Sequence, residues 1–144
     1  MNYIIKKNYE ARIVTSQGAD FFKNLFFEID GQIVDILKNG EDSCAFHTTT
    51  VLYTCTLIRS IHATVSGALQ DMKQSGWYEI AEPKQWCVVV WAPTPSKDGT
   101  MHRHIGFAME NNQAISNSSE YGVPKMHDIN VRPIECFLWN KLID

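Results

Sequence analysis

With 144 residues, 44% of them hydrophobic, and a net charge of -3, the chain is the size of one domain and carries enough apolar residues for a core. That charge provides no basic field for duplex nucleic acid. The longest uninterrupted apolar run, Trp86–Ala92, falls far short of the roughly 20 residues needed to cross a bilayer. Neither nucleic acid nor a membrane is therefore expected as a partner.

The N-terminus, MNYIIKKNYEAR, brings Lys6 and Lys7 before any apolar stretch of useful length, which argues against a secretory signal. Tyr3–Ile5 and Ala11–Val14 read as short strands, and residues 1–24 as an N-terminal extension of a single 1–144 domain. Asp30-Gly31 between two apolar stretches predicts a hairpin, and Asn39-Gly40 a second turn. From Asp42 the spacing of Cys44, Thr48, Val51, Leu52 and Cys55 predicts a helix, capped by Asp42 or Ser43. Its three consecutive threonines are poor helix formers, so the prediction rests on the buried stripe. A second helix follows, with Val65, Ala68, Leu69 and Met72 on one face, Thr64 as N-cap and Gly76 at its end. Strands are expected at Tyr78–Ala81, Trp86–Ala92, His104–Met109, Gln113–Asn117 and Ile134–Trp139. Helices followed by a run of strands predict an α+β fold, with an antiparallel sheet packed on the helices.

The four cysteines, Cys44, Cys55, Cys87 and Cys136, are scattered and form no CxxC pair, as expected for reduced thiols in the cytoplasm. Cys44 and Cys55 lie on one predicted helix about 16 Å apart, too far to bond. Cys44 falls in the first turn of its helix, where free N–H groups favour a thiolate, whereas Glu41 and Asp42 oppose one. A basic partner is needed, and His104 fits that role on a strand whose same-face neighbours, Gly106 and Ala108, leave room for approach. The returning strand then supplies a residue to orient the imidazole. Counting around the turn puts Ser116 opposite His104, and a bulge would favour Asn117, whose amide oxygen can accept the imidazole N–H. His102 and His104 also form a His-x-His pair, but no third ligand has matching spacing, so no metal is assigned. Trp91, His62 and His102 are candidate pocket residues, although His62 is better placed for a structural hydrogen bond near the second helix. No cofactor is implied.

Three segments resemble the NlpC and CHAP superfamily of papain-like cysteine amidases and endopeptidases. DILKNGEDSCAFHTTTVLYTCTLI is similar to the nucleophile helix, SGWYEIAEPKQWCVVVWAP to the strand after a Pro-containing turn, and HRHIGFAMENNQAISNSSEYGVPKMHDI to the His-x-Gly strand and the strand bearing the third polar residue. Gln85-Trp86-Cys87 departs from the usual Gly-containing turn, and His47-Thr48-Thr49 from the usual apolar helix. The resemblance implies a papain-like fold and attack of Cys44 on a peptide or isopeptide amide, with a thioester intermediate and His104 as general base. It further implies oxyanion donors among the backbone N–H groups of Ser43 and Cys44, and peptidoglycan as the usual substrate class. Without a signal segment, such a protein would need another route to a cell wall. The alternatives are a catalytically inactive module that binds peptide or glycan, and a metal hydrolase using His102 and His104.

Overall fold

The stretch read as two short strands is instead one helix, α1 (Ile5–Thr15), in the structure, a computed structural model that describes residues 1–144. Tyr9 and Ile13 stand four residues apart and are both fully buried, while Lys7 and Glu10 face outward as a 3.5 Å ion pair. This four-residue spacing outweighs the local β-like composition. The Tyr9 hydroxyl donates to the Trp86 carbonyl at 2.6 Å. Helix α1 is thus built into the main core rather than appended to it as an extension.

The Asp30-Gly31 hairpin forms as expected between β1 (Phe26–Ile29) and β2 (Gln32–Asp35), with both turn residues at positive φ. Beyond it, the Asp35 carboxylate accepts the backbone N–H groups of Leu25, Leu37 and Asn39 at 3.0, 3.1 and 2.8 Å. Lys38, Asn39 and Gly40 are all left-handed, and a Cβ on Gly40 would overlap the Gly122 backbone. This tight loop delivers the chain into α2 (Cys44–Thr54).

Helix α2 accommodates its threonines by turning their hydroxyls back on the preceding turn. Thr49 donates to the Ala45 carbonyl at 2.7 Å and Thr50 to that of Phe46 at 2.6 Å. The expected side-chain cap is absent: Ser43 occupies the N-cap position, but its Oγ is sealed without a partner. Asp42 pairs with Lys38 at 3.0 Å instead. In α3 (Val65–Gln74) the expected signals hold, with Thr64 Oγ1 accepting the Gly67 N–H at 3.1 Å and Gly76 left-handed after the last turn.

One antiparallel sheet carries β3 (Tyr78–Ile80), β4 (Val88–Pro95), β5 (Met101–Ala108), β6 (Gln113–Asn117), β7 (Pro124–Asp128) and β8 (Ile134–Trp139), in the order β3-β8-β4-β5-β6-β7. The architecture is α+β. Strand β7 is an addition to the expected set, and β4 and β5 run longer than their apolar portions. Val88–Trp91 are fully buried at the centre of the sheet, and α2 packs on β5 and β6. No helix is long and apolar enough to cross a membrane.

Asp71 on α3 ties this layer together. Its buried carboxylate accepts from the Arg59 and Ser60 amides, the Ser75 hydroxyl and the His62 ring, the last at 2.7 Å. Burial opposes its charge, yet these bonds hold its pKa down to about 2. Asp71→Ala leaves several donors unpaired and is expected to cost about 3 kcal/mol in urea unfolding. A loss below about 1 kcal/mol would contradict this role.

Candidate active site

Cys44, at the start of α2, and His104, on β5, both line one large cleft of about 1420 Å³. The pairing of β5 with β6 extends through Phe107 and Ala108 only, and beyond its end the Ile105 peptide faces α2. Its carbonyl accepts the Thr48 hydroxyl at 3.4 Å. Thr48 lies one turn after Cys44 on α2, so the start of that helix is docked against the strand segment that carries His104.

Burial pushes the Cys44 thiol up, and the N–H groups of Ile105 and Ala45 and the charge of Arg132 only partly offset this. Burial likewise pushes His104 down to about 3, helped by the positive charge of Arg132. At neutral pH the two groups thus rest as thiol and imidazole. The other three thiols are also free. Cys55 and Cys87 are buried and Cys136 is half-buried, with Cys87 and Cys136 each pushed by burial up to about 11.

A chain of hydrogen bonds fixes the proton on His104. His104 Nε2 lies 2.7 Å from Ser116 Oγ, which lies 2.6 Å from His127 Nε2, and His127 Nδ1 lies 2.8 Å from the Asp128 carbonyl. A carbonyl can only accept, so neutral His127 carries its proton on Nδ1 and accepts the Ser116 hydroxyl through Nε2. Ser116 Oγ must then accept from His104 Nε2–H. The nitrogen left unprotonated on His104 is Nδ1, which has no hydrogen-bond partner within the protein. That is the tautomer a general base requires.

Gly106 makes this contact geometrically available. Continuing the β5–β6 register sets Ser116 opposite Gly106 rather than His104, and a Cβ at Gly106 would come within 2.6 Å of the Ser116 Cβ. The serine reaches His104 diagonally across that gap. Asn117 does not orient the imidazole. Its Nδ2 donates to the Gly40 carbonyl at 2.6 Å and pins the loop before α2, because neighbouring strand residues point to opposite faces.

The remaining candidates separate. Trp91 is fully buried, sits beneath His104 at a ring separation of 5.1 Å and donates to the Ile129 carbonyl, so it supports the imidazole from behind rather than walling the pocket. His62 does not line the cleft, since it is engaged by Asp71. His102 does line it, but bonds Thr100 Oγ1 at 2.6 Å. No three His, Cys, Asp or Glu side chains converge at metal-binding spacing. Of the two expected oxyanion donors, the Cys44 amide donates to no acceptor within the protein and stands at the cleft at the start of α2, whereas Ser43 is fully buried and does not line the cleft. His47, one turn along α2, is buried, where Ser16 accepts its Nε2–H at 2.9 Å while donating to the Ile13 carbonyl. Sequence reasoning missed His127 and Arg132. Recognition of β7 would have supplied the former, because His127 then follows the Ser116–Lys125 pair by two residues on the same face.

No protein-family model matches the chain. No curated protein matches it either.

Proposed function

We propose that this protein is a cysteine amidase or peptidase of the papain-like, NlpC/CHAP type. One observation carries the reading: a histidine held through Nε2, with Nδ1 free, lines the same cleft as a thiol at the start of a helix. As substrate enters, the Cys44 proton passes to His104 Nδ1 and the sulfur attacks the amide carbonyl. The Cys44 N–H group, free at the start of α2, receives the developing oxyanion. The C–N bond breaks, His104 returns the proton to the departing amine, and an acyl thioester remains on Cys44. Water then attacks the thioester and gives its proton to His104. The acid is released, and the proton returns to the sulfur. A peptide or isopeptide amide is the substrate class, with peptidoglycan cross-links as the leading example.

The test is hydrolysis of peptide, isopeptide and peptidoglycan substrates by the wild type and by Cys44→Ala. Turnover by the wild type alone is the expected result, and equal turnover by both would overturn the proposal. The neutral resting pair favours one second reading, a retired module that binds such substrates without cleaving them. In that case no substrate turns over, and Cys44→Ala binds them as well as the wild type does.

A further inference from the structure

Arg132 is a cation of this cleft with no carboxylate of its own. Among the other basic residues lining the cleft, Lys38 is paired with Asp42 at 3.0 Å, Arg103 with Glu135 at 3.4 Å and Lys23 with Asp20 at 3.5 Å, while Lys97 is unpaired but exposed to solvent, unlike the half-buried Arg132. Arg132 forms no ion pair, and its Nη1 donates only to Thr94 Oγ1, at 3.4 Å. Its backbone is well anchored. It directly precedes Pro133, whose carbonyl accepts the Ala92 N–H at 2.8 Å, and the β4–β8 register shifts between Val90 and Trp91 just beside it. A half-buried guanidinium held on a rigid strand junction loses little freedom when it captures a planar anion, and it presents a two-pronged donor edge that matches a carboxylate.

We propose that Arg132 is the anchor for a substrate carboxylate beside the Cys44 thiol, so that this site prefers anionic substrates. The inference rests on the hydrolase reading and deepens it by naming the substrate class. Its location is fixed by the cleft itself, which Arg132 lines together with Cys44 and His104. The cleft also holds Glu41 and Glu120, neither of which pairs with any cation, so the preference is local to the Arg132 side rather than a property of the whole cleft.

The test compares two alkylating reagents of nearly the same shape, anionic iodoacetate and neutral iodoacetamide, with their reaction at Cys44 followed by peptide mass mapping. An ordinary thiol reacts more slowly with the anion. Here iodoacetate is expected to react at least tenfold faster than iodoacetamide and to show saturation. Arg132→Gln is expected to bring the ratio below one, and Arg132→Lys to keep part of the preference. Any effect of Arg132 on the acidity of the thiol cancels in the ratio. Three results would overturn the inference: a wild-type ratio below one, a ratio that survives Arg132→Gln, or no reaction of either reagent at Cys44. If Arg132 instead served only to stabilise the sulfur, its loss would slow both reagents equally, which also counts against a carboxylate anchor. Because alkylation requires no turnover, an iodoacetate preference without hydrolysis would sink the hydrolase reading alone. Hydrolysis without the preference would sink only the anchor.

Discussion

Replacing His104 by alanine is expected to lower kcat about 10³-fold on whichever amide the wild type cleaves, in the middle of the range for losing a general base. Ser116→Ala is expected to cost only about tenfold, because the serine acts through the imidazole and does not touch the reacting atoms. The hierarchy follows from the proton order along the chain. His127 takes the Ser116 proton, Ser116 takes the His104 Nε2–H bond, and Nδ1 is left bare. Without Ser116 the imidazole keeps its place over Trp91 but loses its tautomeric bias. Accordingly, Ser116→Ala should lower kcat with KM unchanged, and ¹⁵N NMR should find the wild-type proton on Nε2 and a mixture in the variant. Equal losses in the two variants, or a wild-type Nδ1 proton, would contradict this assignment.

The second large effect is on stability against acid. His47 and His104 are both buried, and both are held at about 3 chiefly by burial, against 6.5 for an exposed histidine. Between those values the unfolded chain binds two protons that the folded chain refuses. Stability is therefore fully present above about pH 6.5 and falls as the pH drops toward 3, with a limiting slope of about 2.7 kcal/mol per pH unit from the pair. Asp71 adds a further loss where the pH falls through the unfolded carboxylate range toward its own folded value of about 2. Urea midpoints measured from pH 7.5 to 4.5 should fall steeply, and less steeply in His47→Gln. A flat profile over that interval would show that the imidazoles titrate in the folded protein.

Much of the site-bearing frame was legible in the sequence, for physical reasons that can be named. Helix α3 carries its own start and stop in Thr64 and Gly76, and β8 matches the expected Ile134–Trp139 because its apolar residues are bounded by a proline and a polar turn. Cys44 heads α2 as expected, since a left-handed loop must end before a helix can begin. Helix α1 was misread because Ile4, Ile5, Ile13 and Val14 are β-branched, and only burial of Tyr9 and Ile13 against distant elements reveals their shared face. Strand β7, PKMHD, has little apolar alternation and lies at the sheet edge, so neither it nor His127 could be placed.

The orienting residue shows where counting along a strand stops being sufficient. Symmetry around the hairpin set Ser116 opposite His104, but the connection through Asn111 and Asn112, both left-handed, shifts the partner by two residues to Gly106. Ser116 nevertheless meets the imidazole, because Gly106 clears the diagonal. Asn117 offered the more familiar acceptor, but strand parity turns it toward Gly40. Arg132 belongs to a segment nearly ninety residues from Cys44 in the chain, and no periodicity could have joined them.

The central claim is that the Cys44 sulfur, relieved of its proton by His104, accepts an acyl group. Quenching a single turnover of a peptide or activated ester and mapping the protein by mass spectrometry addresses it directly. The expected product is one acyl group, on Cys44, released by hydroxylamine and formed far more slowly in His104→Ala. Acylation of any other residue, or amide cleavage with Cys44 unmodified throughout, would contradict it.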